Sequence, residues 1–317
     1  MTPAWRRALP RIGLDESADL PIHHLAERLS FAGERAAAVD AYREHLAGHP
    51  DDLEAMEKIA GVLGRMGRHE EELEVRRELA VRVSRKLGVA PEHHEAVIAF
   101  EMGSHGAAEP PPAAPAAYVA ATFDAFAERF DHDLRDRLYY RGPEQIAERI
   151  ERVFGAAAGP FDVCDAGCGT GLLGPLLRPF ARSLTGVDLS PKMLEKARAR
   201  GVYDALEEGE LMDYLARRPA AFDVVTAADV FVYIGDLAPV LAAIAGALRP
   251  GGGLFFTVER AEGEGYELRL SARYAHSASL VRAAATSAGL REISMEEEVL
   301  RRERGLPVYA LICAFGR

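Results

Sequence analysis

The sequence predicts a doubly wound α/β domain that ends in an antiparallel strand and is preceded by an all-helical domain. Three observations carry that expectation. From residue 143 onward, short apolar and β-branched runs alternate with helical periodicities, the pattern of a parallel sheet covered on both faces. At FDVCDAGCGTGLLG (161–174) a strand pattern passes into a helical one through three alternate glycines, Gly167, Gly169 and Gly171. Between Asp19 and Lys86 the apolar pattern is helical throughout, and two blocks recur in register.

In the first helical block Ile22, Leu25, Ala26 and Leu29 share one face, Gly33 marks a turn, and Ala38, Tyr42 and Leu46 form a second face that Pro50 ends. Met56, Ile59, Ala60 and Leu63 repeat the first face, and Gly67 falls 34 residues after Gly33. This period, with small residues where helices cross, resembles the tetratricopeptide repeat. The second block then decays, because Glu72 and Arg76 stand where Ala38 and Tyr42 stood. Helix pairs of this kind need neighbours to bury both faces. Residues 1–104 are therefore expected to lean on another domain or a second chain, either as a docking surface for a partner or substrate or as a packing and self-association module. His23, His24, His93 and His94 lie in polar helical surroundings and read as solvated surface, so no metal site is expected.

Residues 105–117 are rich in proline and alanine and read as a semi-rigid linker. The second domain, 118–317, opens with Phe123, Phe126, Ala127 and Phe130 at helical spacing, an aromatic stripe expected to be core. A helix at 143–156 leads to a strand at 161–165, a helix at 171–180, a strand at 183–188 and a helix whose N-cap is Ser190 before Pro191. A fourth strand is expected at 222–234, a buried helix at 237–253 and a fifth strand at 253–259. Two extended patterns, 291–299 and 307–315, joined by RRERGLP with no helix between, predict a hairpin.

Glycines at a strand-to-helix turn let backbone approach a ligand closely. Asp188 ends the next strand 17 residues beyond Gly171, where doubly wound folds hold a ribose diol. A nucleoside cofactor follows. Gly169–Gly174 matches the dinucleotide fingerprint, but Asp165 stands at the strand end before the first glycine. A carboxylate there repels a pyrophosphate and accepts from an ammonium group.

DAGCGTG with the following GVDLSPKML resembles the cofactor motifs of class I S-adenosylmethionine-dependent methyltransferases, and LRPGGGLFF (248–256) matches their loop before the fifth strand. FDAFAERFDHDL followed by Leu138, Tyr140 and Pro143 resembles the opening segment of predicted bacterial methyltransferases that also carry tetratricopeptide repeats. The resemblance implies S-adenosyl-L-methionine as cofactor. It implies cofactor contacts for Tyr140, Asp165, Gly167, Cys168, Gly169, Gly171, Asp188, Leu189 and Asp229. Glu210, with Glu208 as alternative, would accept from the adenine amino group, with Leu211 and Met193 on the two ring faces.

Methyl transfer from a sulfonium is an in-line displacement, and a base is needed only where the acceptor arrives protonated. His276, in RYAHS after the fifth strand, is the candidate base because its ordinary pKa lies near neutrality. It competes with a reading in which the ring holds a structural hydrogen bond. Tyr233 beside Asp229 faces the same sheet edge, and Arg273 is placed to meet an acidic group on the substrate. The expected acceptor is oxygen or nitrogen of a small metabolite; a protein or carrier-tethered acceptor docked by the repeats, or a scaffold without turnover, are the alternatives.

Composition narrows the classes. The chain of 317 residues is 49% hydrophobic and 27% charged, and its 49 acidic against 38 basic residues give a net charge of −11. That balance argues against nucleic-acid binding. No apolar run is long enough for a membrane span, and the N-terminal arginines precede no apolar signal core. Three cysteines make no disulfide framework, so a reducing, cytoplasmic setting is expected.

Overall fold

The computed structural model describes residues 3–317 except positions 16, 18, 107, 156–158 and 304. The chain divides into two compact units, Met1–Glu109 and Pro110–Arg317.

The first unit is helical. A 3-10 segment, Ala4–Ile12, precedes α1 (Ile22–Phe31), α2 (Arg35–Gly48), α3 (Leu53–Arg65), α4 (His69–Leu87) and α5 (His94–Ser104). The predicted faces are the buried ones: Leu25, Ala26 and Leu29 of α1 meet Ala38 and Tyr42 of α2, and Ile59 and Leu63 of α3 join the same cluster. Gly33 and Gly67 both turn with positive φ, +87° and +72°, where a side chain is strained. Where the repeat decays, Glu72 and Arg76 pair on α4 at 2.7 Å, and the space for Glu72 comes from Gly64, at which a Cβ would stand 2.7 Å from its carboxylate. His23 is not simply solvated. It gathers with His45 and Asp52, half-buried, and His45 Nε2 lies 2.8 Å from Asp52 Oδ2.

The second unit carries the sheet. In order it holds α6 (Ala116–Phe126), the single turn α7 (Phe130–His132), α8 (Gly142–Phe154), β1 (Phe161–Ala166), α9 (Gly174–Leu177), β2 (Ala181–Asp188), α10 (Pro191–Ala199), β3 (Ala205–Glu208), α11 (Leu211–Ala216) and β4 (Phe222–Ala227). There follow α12 (Ala238–Ala247), β5 (Leu248–Arg260), β6 (Tyr266–Leu268), β7 (Tyr274–His276), α13 (Ala278–Ser287), β8 (Arg291–Glu303) and β9 (Leu306–Gly316). The strand order β3-β2-β1-β4-β5 is parallel throughout, with its reversal between β1 and β4. β9 lies antiparallel against β5 along Gly253–Glu259 and pairs with β8. This is the doubly wound sheet with an antiparallel last strand that the alternation predicts. Apolar residues of β4, β5 and β9 pack with α11, α12 and α13 into one core.

Several boundaries differ from the sequence reading. The helix expected at 171–180 is only the four residues of α9 plus a 3-10 turn, Arg178–Phe180: Gly171 turns at φ +79° before it, Pro175 sits in its first turn, and Pro179, lacking an N–H, cannot continue the ladder. β4 stops at Ala227, where Asp229 adopts φ +58°, and residues 231–233 form a 3-10 turn. β8 runs on to Glu303, so Arg301 belongs to a strand and not to a connector, whereas position 304 lies outside the described residues, as does the last residue of the helix expected at 143–156. The linker is shorter than expected. From Pro110 the chain belongs to the sheet unit: the Pro112 carbonyl accepts from Gly235 and Asp236 N–H at 2.8 and 2.9 Å, and the Tyr274 hydroxyl donates to Pro111.

Candidate functional site

A cavity of about 660 Å³ opens at the carboxyl edge of the parallel strands, beside the reversal between β1 and β4. Its floor is the turn after β1. Gly167 and Gly169 sit at φ +62° and +54°; a Cβ on Gly167 would strike Val230 at 2.5 Å, whereas at Gly169 the nearest neighbour is 4.0 Å away. The first glycine makes room for protein, the second leaves backbone open to a ligand. Gly171 is outside the lining; its Cβ would stand 2.9 Å from Tyr203.

Two carboxylates mark the ends of β1 and β2. Asp188 is held open-armed: Oδ2 accepts from Gly169 N–H at 2.8 Å and Oδ1 from Ser190 N–H at 2.9 Å. Burial pushes its carboxyl upward against those bonds. Asp165 is 1% exposed, with Oδ2 accepting from the Tyr203 hydroxyl at 2.6 Å and Oδ1 from Thr226 at 3.0 Å. Burial lifts it to about 6. Its two hydrogen-bond partners are neutral, so the charged form lacks a compensating cation among the described residues.

Beyond these, Leu189, Gly209, Glu210, Leu211 and Met212 form one wall. Glu210 N-caps α11, accepting from Asp213 N–H at 2.9 Å. Met193, expected on this wall, is fully buried on α10 and outside the lining. The opposite wall is α6 and the turn after it: Val119, Thr122, Phe123, Phe126 and Phe130 face the cavity, so the three rings of the stripe line the site, and of its four residues Ala127 alone is core. Two anchors hold this wall down. Asp124 accepts from Ser190 Oγ at 2.5 Å, and Asp131 accepts from Thr170 Oγ1 at 2.5 Å and pairs with Arg200.

The far end is polar. Tyr140, Asp229, Tyr233, Arg273 and Arg301 all line it. Arg301, on β8, is 1% exposed and joins Asp229 at 3.2 Å, Glu303 at 2.8 Å and the buried Glu259; Arg273 reaches Glu303 at 2.9 Å. The Tyr140 and Tyr233 phenols are pushed up by burial, so both stay protonated donors near neutral pH. Arg301, Glu259 and Tyr203 escape the sequence reading, since nothing local ties them to the turn.

His276 is displaced from the role expected of it. It sits on β7, fully buried, and is absent from the cavity lining. Its Nε2–H donates to the carbonyls of Ile234 at 2.8 Å and Gly235 at 3.2 Å, and burial pulls its pKa down to about 4. The ring ties β7 to the loop after β4; it meets no space in which an acceptor would stand.

Known proteins place this arrangement. A family described as a methyltransferase domain matches residues 164–256. The ubiquinone biosynthesis O-methyltransferase of Bordetella bronchiseptica is 32% identical over 170 residues, covering 48% of this chain and 68% of that protein. The chain belongs to the class I S-adenosylmethionine-dependent methyltransferases. The enzyme of the same description from Idiomarina loihiensis is 38% identical over 103 residues, covering 30% of this chain and 41% of that protein, less than half its length. The solved 1,6-didemethyltoxoflavin-N1-methyltransferase of Burkholderia thailandensis shares the methyltransferase fold, with TM-score 0.51 and 21% identity over 66% of this chain and 92% of its own.

Proposed function

We propose that the protein transfers a methyl group from S-adenosylmethionine to oxygen or nitrogen of a small metabolite. The observation that carries the reading is the pair Asp165 and Asp188, at the ends of adjacent parallel strands, facing one cavity across a glycine turn. Asp188, with both oxygens oriented by backbone N–H groups, suits the ribose diol. Asp165, buried without a cation, suits the ammonium of the methionine moiety. Leu189, Leu211 and Met212 offer apolar contact to the adenine, with Glu210 at their edge. A nicotinamide dinucleotide would bring its pyrophosphate against Asp165.

When bound, the sulfonium supplies an already activated methyl group. The chain's own residues then position the acceptor and exclude water. Phe123 and Tyr233, edge-to-face at 5.6 Å, form an aromatic shelf, and the Tyr140 and Tyr233 phenols donate hydrogen bonds to the acceptor. Asp229 is the carboxylate on that side, and its pairing with Arg301 keeps it an oriented acceptor. The size of the cavity and its apolar walls favour a small molecule. The free, buried Cys164, Cys168 and Cys313 fit a reducing cytoplasm, and among the described residues no helix is long and apolar enough to cross a membrane.

Methyl-labelled cofactor, the full chain and an extract of its source cells test this, with Asp188→Ala as control. Label in the acid-soluble fraction above the control is the expected result. Label confined to the precipitate would move the acceptor to a protein or carrier and make the helical unit the docking surface to map.

A further inference from the structure

Three glycines outside the cavity lining border one side chain. A Cβ on Gly171 or Gly174 would stand 2.9 or 2.8 Å from the ring of Tyr203, and one on Gly186, which meets Cys168 and Leu206 first at 2.7 Å, would stand 3.1 Å from it. These positions lie on the turn after β1, at the start of α9, and on β2. The ring they admit carries its hydroxyl to Asp165 Oδ2 at 2.6 Å. We infer that Tyr203 is a positioning residue for the cofactor site: its hydroxyl keeps Asp165 a charged, aimed carboxylate for the ammonium end of the cofactor, and so sets the pH range over which cofactor binds. The inference rests on the methyltransferase reading above.

The surroundings of Asp165 leave that task to neutral donors. Thr226 on β4 supplies the other hydrogen bond, at 3.0 Å. Cys164 on β1 and Cys168 on the turn are thiols held protonated by burial, and Asp188 on β2 is a second acid that opposes the charge. With desolvation and Asp188 both favouring the protonated form, the Tyr203 and Thr226 hydroxyls are the groups that favour the carboxylate. A protonated Asp165 loses its attraction for an ammonium, so binding weakens as the proton returns.

The test is calorimetric titration of the full chain with S-adenosylhomocysteine between about pH 5.5 and pH 8.5, for wild type, Tyr203→Phe, Asp165→Asn and the double variant. Tyr203→Phe keeps the ring that the glycines admit. Wild-type affinity is expected to fall as pH drops below about 6. In Tyr203→Phe that fall should begin about one pH unit higher, with affinity above pH 8 returning to within about threefold of wild type. On the Asp165→Asn background, Tyr203→Phe should add nothing. Thr226→Val, which removes the other donor, should move the curve in the same direction. An equal loss at every pH, or no change, overturns the inference and leaves Tyr203 a packing residue. A wild-type chain that binds no S-adenosylhomocysteine at any pH overturns the methyltransferase reading itself.

Discussion

Arg301 on β8 reaches Asp229, just beyond β4, with its Nη1 3.2 Å from Oδ1, while its Nη2 pairs with the buried Glu259. Three carboxylates thus converge on one guanidinium that is itself 1% exposed. Arg301→Met should cost about 1.5–3 kcal/mol in denaturant unfolding, because the buried Glu259 loses one charged partner and keeps only Arg269 at 3.1 Å and Arg273 at 3.7 Å. Adding Glu259→Gln should recover part of that loss. A loss below about 1 kcal/mol would show the network to be loosely solvated.

His276 gives a prediction of opposite kind to the one its position in the sequence suggests. Its folded pKa of about 4 lies below the unfolded value near 6.5, so the unfolded chain binds the extra proton between those pH values. Stability should therefore fall as pH drops from about 6.5 toward 4, and His276→Gln should flatten this stretch of a melting-temperature series. The pH dependence of the methyl-transfer rate should be unchanged by the same substitution. A rate limb near pH 6.5 that vanishes in His276→Gln would restore it as a base.

The cover helix is tethered by Asp124, which accepts from Ser190 Oγ and from Lys192 N–H at 3.3 Å. Asp124→Ala removes this tie between α6 and the N-terminus of α10. S-adenosylhomocysteine affinity should drop about three- to tenfold, and limited proteolysis should cut within 116–130 faster than in wild type. Unchanged affinity and cleavage would mean that the Asp131 anchor and the aromatic contacts hold the helix without Asp124.

Glycines with similar backbone conformations should respond differently. Gly171 and Gly201 have φ of +79° and +66°, but only Gly171 has Tyr203 in the path of a new Cβ. Gly201→Ala should cost about 1 kcal/mol from backbone strain alone, and Gly171→Ala distinctly more, with a loss of cofactor affinity besides. Equal costs would remove Tyr203 from the packing account.

What was legible in the sequence is what local spacing encodes. The glycine turn, Asp165 at the strand end and Asp188 at the next are fixed by the βα unit itself, and the structure gathers them on one cavity. The polar end was less accessible. Arg301 reaches it because β8 pairs with β9, which lies on β5, a relation across more than 40 residues that no periodicity announces. His276 reads as a loop residue because β7 is three residues long, too short for an alternation to show, yet its pairing with Arg260 draws the ring inside. The aromatic stripe of α6 shows the same limit: spacing shows that a face is apolar, not whether protein or ligand covers it.

The most direct measurement is the affinity of the full chain for S-adenosylhomocysteine at about pH 7.5, with and without Asp188→Ala, beside a nicotinamide dinucleotide. The account predicts binding of S-adenosylhomocysteine that weakens at least about tenfold in Asp188→Ala, equivalent to about 1.4 kcal/mol, and no binding of the dinucleotide. Binding of the dinucleotide in its place, or an affinity indifferent to Asp188, would contradict it.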